Sequence, residues 1–218
     1  MPVIFFDIGA TLADAQGELG GPLRLQPRPR VMAVLDALRA VRMGIISNPG
    51  PGDGAASRVA AALDEAFPGR FTDEALVHWG AKDSRGIFDR AVASTGGTAA
   101  DDCVFVGEDA QERAFAREAG MGTAAHPVFA LAAMESRPVL RARVELSGDR
   151  GLPELTAAVD ETEAVVVQIV SEGLALAMAT TQGADALERT GFTVDLRGPV
   201  DDTQTFPARD GQAVVKDE

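Results

Sequence analysis

The chain has 218 residues, 46% of them hydrophobic and 24% charged, enough to bury the core of one ordinary domain and to carry an appendage. Its formal charge of −13 comes without a basic patch, which excludes nucleic acid as a partner, and no apolar run is long enough to span a bilayer. An anionic substrate would be repelled at long range, so it would need a bound cation or locally placed Lys and Arg.

Met1-Pro2 leads into the first apolar stretch with no basic leader, and the one cysteine, Cys103, lies within an apolar run. Both features point to a reducing, cytoplasmic setting and to a buried thiol rather than a nucleophile. Val3 to Phe6 is continuously apolar and reads as a parallel strand buried on both faces, with Asp7 where that strand leaves the sheet. Leu12-Ala13-Asp14 and Leu23-Arg24-Leu25 flank Gly17, Gly20 and Gly21 and predict a hairpin. Beyond Pro27-Arg28-Pro29, Val31, Val34, Leu35 and Leu38 recur at helical spacing, which predicts a helix over 30–41.

Met43 to Ser47 is a second buried strand, ended by the loop Asn48-Pro49-Gly50-Pro51-Gly52. A helix over 55–67, with Val59, Ala62, Leu63 and Phe67 inward, stops at Pro68-Gly69. A third strand over 76–79 leads to Lys82 and to a helix capped by Ser84 that carries Ile87, Phe88, Ala91 and Val92. Cys103 to Val106 is the fourth strand. It opens into Gly107-Glu108-Asp109 and a helix with Ala114, Phe115 and Ala119 inward, closed by Gly120, and Gly122 to Ala125 forms a fifth strand.

Strands alternating with helices at this spacing give an α/β fold built on a doubly wound, mainly parallel sheet. A strand over 139–146 and a helix over 152–159 close this core, predicted to span 1–160. The pattern then changes: Val165 to Val170, the turn Ser171-Glu172-Gly173 and Leu174 to Thr180 predict a hairpin, followed by a helix over 184–189 and a strand over 192–196. These make a small α+β appendage over 161–218. The acidic residues Asp201, Asp202, Asp217 and Glu218 read as solvated, and Arg209-Asp210-Gly211-Gln212 as the turn of a terminal hairpin.

Four strand ends carry polar residues at one edge of this sheet: Asp7 with Thr11, Ser47 with Asn48, Lys82, and Glu108-Asp109 with Glu112. Ligands gather outside the carboxyl ends of strands in such sheets, so the coincidence marks a candidate site. Each residue also has an ordinary explanation. Asp7 and Asn48 suit turns, Lys82 suits a solvated helix start, and the acidic group complements a helix dipole. His78 and His126 stand apart, which argues against a metal site built on them.

In order and spacing the four segments resemble the haloacid dehalogenase superfamily, a group of aspartate-nucleophile phosphatases and dehalogenases. The motifs are Asp7-Ile8-Gly9-Ala10-Thr11-Leu12, then Ser47, then Lys82, then the acidic residues Glu108 and Glu112 after Gly107. The resemblance covers about 1–160. It implies a Rossmann-like core, an aspartyl-phosphate on Asp7, and Thr11, Ser47 and Lys82 as catalytic residues with Asn48 beside the substrate. It also implies Mg²⁺ held by Asp7, Glu108, Glu112 and the backbone carbonyl of Gly9. The chemistry is coherent: a carboxylate attacking phosphorus divides one hard displacement into two, Lys82 and Ser47 meet the charged oxygens, and a hard dication offsets the crowded carboxylates.

The chain departs from the commoner pattern at Gly9, where phosphatases of this group place an aspartate that transfers protons; loss of such a group costs roughly 10²–10⁴ in rate. Three readings are open: the leaving group needs no proton, a nearby carboxylate such as Asp14 substitutes, or catalysis is lost. Glu108, where Asp is commoner, also lengthens one metal arm. Dehalogenation, which releases a halide without a proton, fits Gly9 but leaves the acidic cluster without a purpose. The 35 residues from Leu12 to Ile46 are too few for a helical cap. The site is therefore open to a bulky phosphorylated substrate or covered by the appendage, which would also serve a homo-oligomer. A catalytically impaired protein that binds a phosphorylated ligand or a protein partner is the alternative reading.

Overall fold

The computed structural model describes residues 1–16 and 23–203. The expectations for Gly17, Gly20, Gly21, the 209–212 turn, Asp217 and Glu218 lie outside these residues. The fold is α/β, with a five-stranded, wholly parallel sheet and a separate four-stranded antiparallel one.

Strands β1 (Val3–Phe6), β4 (Arg42–Ser47), β5 (Val77–Trp79), β6 (Cys103–Val106) and β7 (Gly122–Ala124) form the first sheet in the order β5-β4-β1-β6-β7. β1 is central and buried throughout, which explains its unbroken apolar sequence. Its side chains alternate between two cores. Ile4 and Phe6 join Val31, Leu35, Leu63, Phe67 and Phe129 on one face; Val3 and Phe5 join Ile87, Phe88, Phe105 and Ala116 on the other. Helices α1 (Val31–Ala37), α2 (Ala55–Ala66) and α5 (Ala130–Met134) supply the first face, and α3 (Gly86–Ser94) and α4 (Ala110–Glu118) the second. Strand order reverses direction at β1, so the crevice at its carboxyl end is where this topology places a ligand. The hairpin β2 (Ala13–Gln16) with β3 (Arg24–Pro27) forms as expected beside that crevice.

Two expectations need correction. α3 begins at Gly86 after Arg85, with no side-chain cap, so Ser84 is not its N-cap. On α4, Phe115 and Ala119 pack against the core as expected, and Arg113 and Ala116 are buried beside them. The second correction concerns the boundary at 160. β8 (Leu140–Glu145) pairs with β10 (Leu174–Ala179) and β11 (Thr193–Pro199), and β9 (Ala164–Ser171) completes the order β11-β8-β10-β9. Ala142 and Val144 of β8 and Leu155 and Val159 of α6 (Leu152–Asp160) share a core with Ala175, Ala177 and Leu187, the last on α7 (Thr181–Arg189). The second sheet therefore begins near residue 140, and the strand and helix expected to close the first core belong to it. The helix α4 does end as expected, with Gly120 at φ 85.

The two sheets share one interface: Val165 and Met178 sit in the first core, and the Arg30 guanidinium donates to the carbonyls of Ala164, at 2.7 Å, and Thr162. No helix among the described residues is long and apolar enough to cross a membrane.

Candidate active site

Asp7 leaves β1 with its amide donating to Val106 O at 2.9 Å, so the residue is aligned by the neighbouring strand before its side chain makes any contact. The chain then turns sharply. The amides of Thr11, Leu12 and Ala13 all point at Ile8 O, at 3.3, 2.9 and 2.9 Å, and Ala10 is forced to φ 51. A left-handed alanine costs roughly 1–2 kcal/mol, so something must hold it. That anchor is Arg28, buried between β3 and α1, whose Nη1 donates to Ala10 O at 2.7 Å. Sequence reading took Pro27-Arg28-Pro29 only as a break in extended structure and missed this role.

Asp7 is 6% exposed. Its Oδ1 accepts from Ser47 Oγ at 2.8 Å and lies 2.6 Å from Lys82 Nζ. Ser47 ends β4 and is fixed from the far side by Gly80, whose amide donates to Ser47 O at 3.1 Å. Lys82, 7% exposed, comes from the loop after β5, and its ammonium also meets Glu112 Oε2 at 2.7 Å and stands 5.8 Å from the centre of the Phe105 ring. Gly107 gives that ring its room: a Cβ there would meet Phe105 at 2.8 Å and Asp7 Cβ at 3.6 Å.

Thr11 and Glu108 form a second pair, with Thr11 Oγ1 donating to Glu108 Oε2 at 3.0 Å. Burial pushes the Glu108 carboxyl above its ordinary range, and the Asp7 charge adds to the push. Burial likewise raises Glu112 to about 7, against the pull of Lys82. Asp7, Thr11, Ser47, Lys82, Glu108 and Glu112 are thus brought together. Asn48 is not: it is exposed, and its Oδ1 accepts from Gly50 N at 3.0 Å in its own turn. Asp109 is the N-cap of α4, accepting from Gln111 N at 2.8 Å and Glu112 N at 3.0 Å. Asp14, weighed as a stand-in for a missing acid, lies 3.7 Å from Arg28 on the exposed side of the hairpin. Gly9 is exposed with nothing within 4 Å of a would-be Cβ.

A divalent cation can be tested against this donor set. Asp7 and Glu112 share the Lys82 ammonium, Glu108 adds a third carboxyl whose partner is the Thr11 hydroxyl, and Glu112 Oε2 is buried without an aligned hydrogen bond. Such an excess of buried negative charge suits a hard cation. Among the described residues, however, no three Asp, Glu, His or Cys side chains gather as a metal-ligating group. Asp7 and Glu108 are the carboxylates that could hold a cation, with water for the remainder, as Mg²⁺ prefers. The geometry assigns Glu112 to Lys82 rather than to a cation.

Arg113 is a second residue that sequence reading missed. Fully buried, it donates from Nη1 to Gly107 O at 2.8 Å and Glu108 O at 2.7 Å, and from Nε to Asp202 Oδ1 at 2.7 Å. Asp202, expected to be solvated, is instead also bound by Arg117 and by Thr123 Oγ1 at 3.0 Å. The segment after β11 is thereby tied to the loop that carries Glu108. Arg113→Met is expected to lower stability by roughly 2–4 kcal/mol, because two buried carbonyls lose their donor. Asp202→Asn should cost much less. Thermal melts of both variants check this, and equal losses would place the weight on the Asp202 ion pair instead.

No protein-family model matches the chain, and no curated protein matches it. One solved structure aligns with 58% of this chain and 68% of its own at 15% identity and a TM-score of 0.40, too slight a likeness to bear on function.

Proposed function

We propose that this chain is a Mg²⁺-dependent, phosphatase-type hydrolase of the haloacid dehalogenase kind, with a Rossmann-like core and Asp7 as its nucleophile. One observation carries the reading. The carboxylate at the switch point of the parallel sheet is held by a hydroxyl at 2.8 Å and an ammonium at 2.6 Å, the two donors that a transferring phosphoryl group needs beside its nucleophile.

In this reading an Asp7 carboxylate oxygen attacks phosphorus, the bond from phosphorus to the leaving oxygen breaks, and an aspartyl-phosphate forms. Water then attacks the phosphorus and frees Asp7 with release of phosphate. Lys82 and Ser47 pass from Asp7 to the equatorial oxygens, where charge is greatest. Glu112 keeps Lys82 aimed at the site. Thr11 and Arg28 hold the Asp7 loop and Glu108 in register. Asp7, Glu108 and the Gly9 carbonyl would hold Mg²⁺, which when bound neutralises phosphate charge and orients the group for in-line attack.

Since no side chain at Gly9 protonates the leaving oxygen, good leaving groups such as aryl phosphates are the favoured substrates. The test is hydrolysis of an aryl phosphate with and without Mg²⁺, comparing wild type with Asp7→Asn. Mg²⁺-dependent turnover confined to wild type is expected; turnover no greater than that of Asp7→Asn across a panel of phosphates would sink the enzymatic reading. The open Gly9 position specifically favours a second reading, a protein that binds a phosphorylated ligand without turning it over. Binding of inorganic phosphate without hydrolysis would select it.

A further inference from the structure

The second sheet has one face covered by α6 and α7. Its other face is only partly occupied: Val165 and Met178 pack into the first core, and beside them lies an open concavity of about 640 Å³. Val167, Leu176, Met178 and Val200 give it an apolar floor, while Arg141, Arg143 and Arg197 stand along β8 and β11 at its rim. A volume of this size falls in the range of small-molecule sites, and apolar walls with a few placed charges are their usual lining.

The charges at the rim are unequal in their commitments. Arg197 is ion-paired with Asp195, its neighbour two residues back. Asp201, also at the rim, accepts from Thr203 N at 3.0 Å and Thr203 Oγ1 at 2.6 Å. The side chains of Arg141 and Arg143 make no hydrogen bond or ion pair among the described residues, although Asp195 stands opposite Arg143 in the β11 register and Asp201 lies within reach of the Arg141 charge. The two arginines are two positions apart on one strand, opposite Met178 and Leu176 of β10. Their Cα atoms are therefore about 7 Å apart on the same face, and both guanidinium forks can reach one head group over the apolar floor. In a chain with a formal charge of −13, two such cations beside exposed apolar surface stand out against the general field.

We infer that this concavity is a binding site for a small amphipathic anion, with an acyl or aryl body on the Val167, Leu176 and Met178 floor and its carboxylate or phosphate on Arg141 and Arg143. The site shares no residue with the Asp7 cluster and does not depend on the function proposed for it.

Calorimetric titration with decanoate and with 2-naphthoate tests the inference and separates an acyl from an aryl body. Saturable one-to-one binding of at least one of them is expected, with inorganic phosphate alone and decanol alone binding much more weakly. Arg141→Gln with Arg143→Gln should weaken that binding by about tenfold or more, from loss of two charge-assisted contacts, at an unchanged melting temperature. Leu176→Ser should weaken it independently of charge. Absence of saturable binding by either probe, or binding indifferent to the arginine pair, overturns the proposal. So does a concentration-dependent dimer, seen by sedimentation in wild type and lost in the double variant, which would give this face to a second copy of the chain.

Discussion

With Asp7 as the proposed phosphatase nucleophile, Gly9→Asp is expected to raise the turnover of alkyl phosphates by about 10²- to 10⁴-fold, the usual contribution of a positioned general acid. The backbone admits the change: Gly9 is not in the left-handed region, and a Cβ there meets no atom within 4 Å. The new carboxylate would stand two residues after Asp7, in a loop already fixed by Arg28 on Ala10 O and by three amides on Ile8 O. Its benefit depends on the leaving group. An alkoxide must be protonated as it departs, whereas an aryl oxide departs nearly as well without a proton, so the aryl-phosphate gain should be small. Gly9→Asn separates proton transfer from shape, since it fills the same space and cannot act as the acid. Steady-state kinetics on one alkyl and one aryl phosphate, each with and without the Asp7→Asn substitution, decide the matter. An equal gain on both substrates, or one shared by Gly9→Asn, would mean that position 9 acts by ordering the loop.

Much of what positions this site was legible because buried parallel strands announce themselves. Val3 to Phe6, Met43 to Ile46 and Cys103 to Val106 are apolar on both faces, and the first polar residue after the first two, Asp7 and Ser47, marks the sheet edge. What stayed hidden has two physical causes. β8 alternates charged and small apolar residues, Arg141-Ala142-Arg143-Val144-Glu145, a pattern that says half-buried strand but not which sheet it joins; its partner β10 begins 29 residues after Glu145, at Leu174. The boundary near 140 was therefore read as 160. The other cause is the buried arginine. Arg28 read only as part of a break in extended structure and Arg113 carried no signal at all, because arginine is rarely buried and only the fold brings carbonyl oxygens to their guanidiniums. Asn48, placed beside the substrate by the family resemblance, instead uses its Oδ1 to accept from Gly50 N within its own turn.

Lys82→Met is expected to have the largest effect on stability. The lysine side chain is 3% exposed and serves Asp7 at 2.6 Å and Glu112 at 2.7 Å, so its removal leaves buried carboxylates without their cation, at a cost of about 3–5 kcal/mol. That cost should depend on pH in a defined direction. Burial raises the Glu112 carboxyl from 4.5 to about 7, with Lys82 opposing and Asp7 and Glu108 reinforcing the rise. Because the folded value is the higher one, the folded chain keeps a proton that the unfolded chain has released. The associated stability is fully present below pH 4.5 and is lost as pH rises through about 7, roughly 3 kcal/mol in all. In Lys82→Met the opposing cation is gone, so Glu112 and Glu108 hold their protons to higher pH, and the deficit against wild type widens between pH 5 and pH 8. Melting temperatures at the two pH values measure it, with a gap on the order of 10 °C expected at pH 8 and a much smaller one at pH 5. A deficit equal at both would show that Lys82 stabilises the fold through its packing over Phe105 rather than through its charge.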